Sequence, residues 1–292
     1  EKGSTFHFTA AFGRVCGISI RPLSPRPEPE ITAHRSLKVL VVEDGRVNQL
    51  VCARMLESRG HSVVLADTGR MAVDLARTTR FDAILMDVQM PGMNGFEATA
   101  AIRKIEQVEG GHVPIIAMTA NAMKGDRELC LAAGMDDYLA KPLRSAELFQ
   151  SVERFDRATP GHREVSETTV PEAAAHQPPK RAVFDAEAFR TSTGDAKLLR
   201  KLVTIYPEDT SKYLRKAEKA LAAGKAKALY EAAHSLKGML GVYAAPTALS
   251  LAAELCEYAH AGDLKGARMM LGRLTEECTL VGEALNGFDP VI

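Results

Sequence analysis

Between residues 37 and 155, short apolar runs alternate with amphipathic stretches. The runs LKVLVV (37–42), SVVLA (62–66), DAILM (82–86), VPIIAM (113–118) and DYLA (137–140) predict strands. The stretches between them predict helices over 46–59, 69–79, 95–108, 122–133 and 144–154. Three of the runs are apolar almost throughout, as parallel strands covered on both faces should be. The pattern predicts an α/β domain with a doubly wound, five-stranded parallel sheet.

A different pattern fills residues 183–292. Ala, Leu, Lys and Glu dominate, β-branched residues are sparse, and Gly194, Gly224 and Gly262 punctuate long helical stretches near 195–222, 225–241, 245–261 and 263–286. A short helix at 185–191, led by Asp185 as an N-cap, closes one end. This half is expected to be an all-α, antiparallel helical bundle. Two segments lack periodicity and are rich in proline and polar residues: a linker over 14–36, with four prolines in its 21–36 part, and a flexible linker over 156–182. The chain thus divides into 1–13, the 14–36 linker, an α/β domain over 37–155, the 156–182 linker and a bundle over 183–292. The spacing of the α/β units places the first domain among flavodoxin-like folds.

Charge excludes some partners. The 37 Lys and Arg balance 37 Asp and Glu over 292 residues. Counting by segment gives 14 basic and 16 acidic side chains over 37–155 and 14 of each over 183–292. Neither half is a nucleic-acid or lipid surface. The five cysteines are scattered and never paired as CxxC, against zinc and disulfides and for a reducing cytoplasm. No apolar run approaches the roughly 18 residues that span a bilayer. There is no secretory signal pattern, and the start at Glu1 rather than methionine raises the expectation of a missing beginning.

In a doubly wound sheet, ligands bind beyond the carboxyl ends of the strands. Those ends carry Glu43 and Asp44, then Asp87, Thr119 and Lys141. Three converging carboxylates call for a hard divalent cation, best Mg²⁺. Such a site suits carboxylate attack on phosphorus, with a lysine and a threonine hydroxyl holding the phosphoryl oxygens. A lone strand-end aspartate is usually a helix cap, but five such residues in order on four strand ends form a pocket.

The motifs VVED (41–44), MDVQMPGMNG (86–95), AMTA (117–120) and YLAKP (138–142) resemble a response-regulator receiver domain over the whole of 37–155. The resemblance implies Asp87 as phosphoacceptor, Glu43, Asp44 and Asp87 around Mg²⁺, Lys141 on the phosphoryl group, and Thr119 with Tyr138 as a switch pair. It further implies a cis Lys141-Pro142 bond. Asn48 fits the variant found in receivers fused to sensor kinases, while Gly45 departs from the asparagine common there and loosens that loop. Gln89 and Asn121 flank the pocket as tuners of phosphate lifetime.

The second candidate is His234, in AAHSLKGMLG (232–241). Leu229, Ala233, Leu236 and Leu240 define a buried stripe. His234 lies about 160° from Leu236, so its ring is expected to point to solvent. Lys237 and Gly238 share its face, and helix-interior glycine costs about 1 kcal/mol against alanine. Clearance for a docking partner would explain the glycines. The stretch resembles the histidine phosphotransfer domain, whose motif is H-x-x-K-G, over about 183–286. That implies His234 as a second phosphoacceptor assisted by Lys237; Met239 and Ala244 depart from the small residue and the glycine common in that family. A kinase dimerisation helix fits less well, because Ser235 follows the histidine, no proline comes before Pro246, and no ATP-binding domain follows before Ile292. The other histidines form no metal-binding spacing and are expected to be solvated.

Residues 1–13 (EKGSTFHFTAAFG) alternate as a strand and resemble the last glycine box of a sensor histidine kinase ATP-binding domain. Together the resemblances imply the output end of a hybrid sensor histidine kinase: a phosphorelay in which Asp87 takes a phosphoryl group from a kinase phosphohistidine and exchanges it with His234 for a downstream receiver. Without an ATP-binding core, this chain is expected to act as a phosphotransfer protein, not an autonomous kinase. Its implied partners are that kinase core and a downstream response regulator, in the cytoplasm, with neither nucleic acid nor membrane contacted directly. The alternative is a receiver acting as a phosphorylation-dependent switch, with the bundle only a docking module.

Overall fold

In the computed structural model, which describes residues 35–119, 124–155, 183–193 and 195–289, the apolar runs pair as parallel strands. The proposed kinase remnant (1–13), most of the first linker, the 156–182 linker and Asn121 lie outside the described residues. The strands β1 (Lys38–Val42), β2 (Ser62–Ala66), β3 (Ala83–Asp87), β4 (Ile115–Thr119) and β5 (Asp137–Ala140) take the order β2-β1-β3-β4-β5. Between them run α1 (Arg46–Ser58), α2 (Gly69–Thr78), α3 (Gly95–Glu109) and α4 (Lys124–Ala132), and α5 (Ser145–Glu153) follows β5. The fourth strand begins at Ile115, not 113, because Pro114 has no N–H for the ladder; its carbonyl instead accepts from the Ile84 N–H at 2.8 Å.

Alternation along the strands builds two apolar layers. Val39, Val41, Leu85 and Met118 pack toward α1 and α5, with Leu148 and Val152 of α5 fully buried. Leu40, Val42, Ile84 and Met86 pack on the opposite face with Ala72 of α2, Ala98 and Ile102 of α3 and Cys130 of α4. Buried leucines and isoleucines of this kind each cost roughly 2–5 kcal/mol when cut back to alanine.

The second half is the expected bundle: α6 (Ala186–Thr193), α7 (Ala196–Ala222), α8 (Ala226–Val242), α9 (Pro246–Ala261) and α10 (Leu264–Asn286). Asp185 caps α6 by accepting from the Glu187 and Ala188 N–H groups. Phe184, Phe189, Tyr243 and Phe288 cluster edge-on or tilted, with centroids 5.3–5.6 Å apart. The buried tyrosines find backbone acceptors, Tyr206 on the Cys278 carbonyl and Tyr243 on that of Leu202. Between α8 and α9, Ala244 takes φ 49°, the one positive φ of a non-glycine residue among those described. Its carbonyl accepts from the Asp185 N–H, tying α6 to this turn.

The described residues form one compact unit. The α1/α5 layer of the sheet runs on into the core of the bundle, with α1 packed on α7 and α8. This contact brings the carboxyl edge of the sheet to the helix that carries His234.

Candidate functional site

Three strand ends and one loop assemble the acidic pocket. Glu43 and Asp87 are each 2% exposed, and Asp44 is half-buried. One oxygen from each of the three can come within 4.8 Å of the other two. The chain must turn sharply from Asp87 into α3, and only glycine allows it: a Cβ on Gly95 would sit 2.3 Å from the Asp87 carbonyl oxygen. The turn is fixed by a reciprocal capping box between Asn94 and Glu97.

Lys141, joined to Pro142 by the expected cis bond, reaches back from the end of β5. Its Nζ donates to Glu43 Oε2 at 2.5 Å and to Asp87 Oδ2 at 2.7 Å. The Gln89 backbone N–H donates to Asp87 Oδ1 at 3.1 Å. Asn48 secures Glu43 from the other side (2.9 Å), and Gly45 also donates its N–H to that carboxylate.

One ammonium offsets only one of these charges. Burial therefore pushes the Glu43 and Asp87 carboxyls above their ordinary range despite the pull of Lys141. Burial raises Asp44 too, with repulsion from Glu43 added and the Ser235 hydrogen bond opposing. Burial opposes the charge on Lys141, but Asp87 and Glu43 together hold it protonated. A surplus of buried negative charge built from hard oxygens is a donor set for a divalent cation.

The bundle supplies the facing wall. The predicted stripe is correct: Leu229, Ala233, Leu236 and Leu240 are fully buried. The imidazole of His234 does leave the bundle core, but it does not point to solvent. It is half-buried against the α/β domain, because α1 docks beside α8. Burial, with like-charge repulsion from Lys141 and Lys237, lowers its pKa to about 4, so it is neutral at physiological pH. A cavity of about 150 Å³ lies between the halves, lined by Gln89 and Thr119 on one side and by Tyr230, His234 and Lys237 on the other. Thr119, at the end of β4, is 8% exposed. Tyr138 is not at this cavity; its half-buried ring packs under the Arg127 guanidinium, 5.9 Å from the centroid.

Contacts across the interface include several residues that the sequence did not single out. The Ser235 hydroxyl donates to Asp44 Oδ2 at 3.1 Å. The Tyr230 hydroxyl donates to Gln89 Oε1 at 3.2 Å. Arg54 Nε donates to Asp195 Oδ2 at 2.5 Å, and Arg46 lies 3.5 Å from Glu208. Tyr230 was legible as a neighbour of His234, four residues away on the same helical face; its pairing with Gln89, read from the sequence only as a residue flanking the pocket, was not. One of the histidines expected to be solvated is not: His61 is buried, its Nδ1 accepting from the Leu37 N–H. His112 is exposed and pairs at the surface with Asp136 at 2.5 Å.

Residues 39–153 match the family model of the response regulator receiver domain, and residues 201–284 match that of the Hpt domain. The chain is 34% identical over 236 residues to the sensor histidine kinase GacS of Pseudomonas protegens, covering 79% of this chain and 25% of that protein. It is 47% identical over 120 residues to hybrid signal transduction histidine kinase I of Dictyostelium discoideum, covering 39% of this chain and 7% of that protein. Among solved structures it is similar to the receiver domain of a sensor histidine kinase from Pseudomonas aeruginosa with magnesium ion coordinated in its active site cleft (51% identity, 41% of this chain, 97% of that one, TM-score 0.38). The chain thus carries a receiver domain followed by an Hpt domain, homologous to hybrid histidine kinases, and spans a quarter or less of the length of those two relatives.

Proposed function

We propose that this chain is a two-step phosphorelay module, with Asp87 and His234 as its phosphoacceptors. The observation that carries the reading is their juxtaposition. A buried aspartate beside a protonated lysine and a neutral imidazole on a facing helix belong to the two walls of one interface. In the exchange, the imidazole lone pair forms the N–P bond as the bond from phosphorus to the Asp87 oxygen breaks. That oxygen keeps the electron pair, and Asp87 returns to a carboxylate. On this reading Lys141 and Thr119 hold phosphoryl oxygens.

The donor set fits Mg²⁺, which Glu43, Asp44 and Asp87 would hold and which would neutralise phosphoryl charge when bound. A phosphohistidine on a kinase core is the source on this reading, and a separate receiver is the destination. Thr119 and Tyr138 act as the switch pair, and residues 1–13 belong to the end of a kinase ATP-binding domain. Among the described residues no helix is long and apolar enough to cross a membrane, which fits work in the cytoplasm.

The test is phosphate-affinity electrophoresis with a small acyl-phosphate donor and Mg²⁺. An acid-labile phosphohistidine should appear in the parent chain and vanish in His234→Gln. Labelling that survives Asp87→Asn overturns the acceptor assignment.

A further inference from the structure

We propose that Tyr230 is a positioning residue that sets the His234 imidazole in line with Asp87, and that this role rests on the relay reading above. Tyr230 sits one helical turn before His234 on α8. Their rings stack with centroids 5.9 Å apart and planes 26° from parallel. Tyr230 also meets the ring of His260 from α9, 6.1 Å away and tilted by 53°. The tyrosine thus contacts two imidazoles.

Its hydroxyl reaches across the interface to Gln89 Oε1 at 3.2 Å. Gln89 in turn gives its own backbone N–H to Asp87 Oδ1 at 3.1 Å. One side chain therefore touches the nucleophile's ring at one end and, through a single residue, is indexed to the phosphorylated carboxylate at the other. Tyr230, His234 and Gln89 line the same cavity.

The physical need is specific. An imidazole on a helix has two rotatable side-chain torsions, and only a few settings aim a ring nitrogen along the phosphorus–oxygen axis. Misplacing a reacting atom by 1 Å can cost about 10²-fold in rate. The stack restricts the ring plane, and the Gln89 hydrogen bond fixes the height of the stack relative to the receiver loop. The hydrogen bond belongs to the docked arrangement, whereas the stack lies within α8, where Tyr230 also packs against the apolar core.

The experiment uses the full chain, loaded at Asp87 with acetyl phosphate and Mg²⁺, and measures phosphohistidine formation per phosphorylated Asp87 by rapid quench. Tyr230→Leu, which loses stack and hydrogen bond, should slow transfer by on the order of 10-fold or more. Tyr230→Phe, which keeps the ring, should fall between it and the parent and guards against a folding failure of the leucine variant. The ring-proton resonances of His234, and of His260 which Tyr230 also meets, should shift in Tyr230→Leu as the tyrosine ring current is lost, while amide resonances elsewhere in the bundle stay in place, a pattern that a merely structural role would not give. A parent that transfers, with both variants within twofold of it, overturns the role of Tyr230 alone. A parent that never forms phosphohistidine removes the relay reading and this inference with it.

Discussion

Asp195 serves two helices at once: Oδ1 accepts from the Lys197 and Leu198 N–H groups at the start of α7, while Oδ2 accepts from Arg54 Nε on α1. The Arg54 hydrogen bond holds the Asp195 carboxyl below its ordinary range. Its contribution is therefore present above the ordinary aspartate pKa of 3.8 and lost as pH falls below it. The two roles can be separated. Asp195→Asn keeps a good N-cap and loses the charge, whereas Asp195→Ala also loses the cap at a cost of roughly 1 kcal/mol. Arg54→Glu sets two carboxylates against each other. We expect it to raise amide hydrogen exchange along α1 and the facing turn of α7 without lowering the melting temperature of the bundle. The effect should shrink with added salt, as exposed ion pairs do.

Gly238 and Gly241 make opposite predictions. A Cβ on Gly238 would lie 3.2 Å from Asn48 Nδ2 of the receiver, tighter than an ordinary contact, whereas one on Gly241 would meet only Leu249 Cδ1 at 4.0 Å. Clearance for docking explains the first glycine and not the second. Alanine at either site should gain about 1 kcal/mol of helix stability. Gly238→Ala alone should also weaken docking, read as slower transfer to His234 with a raised melting temperature. Equal transfer in the two variants would remove the clearance argument.

What the sequence revealed, and what it hid, follows from the range of each signal. The β-runs, the capping aspartate at 185 and the strand-end pocket are local or periodic features, and the fold places them as read. Pro114 shortens β4 and His61 turns inward for local reasons that periodicity does not carry. The larger miss is the docking. Arg46, Arg54, Asp195 and Glu208 have the composition of ordinary solvated helix faces, and nothing in their spacing says that two such faces meet. Because that contact was illegible, so was the burial of His234, although its exit from the bundle core was predicted from the helical angle.

Ala244 offers a test of strain. Its φ of 49° costs an L-residue roughly 1–2 kcal/mol, and glycine avoids the clash. Ala244→Gly should therefore stabilise the chain by about 1 kcal/mol, after allowing for glycine's greater freedom when unfolded. Urea denaturation measures it directly. A loss of stability would mean that packing of the Ala244 methyl outweighs the strain.

The metal-free pocket should be a liability at neutral pH. Because the Glu43 and Asp87 carboxyls are held above their ordinary range, the folded chain binds more protons than the unfolded one. Stability in chelator should then fall as pH rises through and beyond that range. Asp87→Asn removes one of the crowded charges and should raise stability in chelator at pH 7 by on the order of 1–3 kcal/mol. Lys141→Met leaves both carboxylates uncompensated and should cost roughly 3–5 kcal/mol. Mg²⁺ should stabilise the parent more than Asp87→Asn, since it offsets the charge that the variant lacks. Thermal melts with and without Mg²⁺ decide it.

The protonation of His234 reports docking itself. Its pKa is lowered to about 4 by burial and by Lys141 and Lys237, and the first two of these exist only while the receiver covers α8. Between pH 4 and the ordinary 6.5, the undocked imidazole binds the proton more readily than the docked one. Docking should therefore strengthen as pH rises through this window and change little above it. Nuclear magnetic resonance of the His234 ring protons in the parent should give a midpoint well below 6.5, near 4. In Arg54→Glu, with the interface weakened, the midpoint should move back toward the ordinary value. A parent midpoint at 6.5 would mean that the two halves do not stay together in solution. Transfer between Asp87 and His234 would then depend on transient encounters, and its rate would track the effective concentration set by the 156–182 linker instead of a preformed interface.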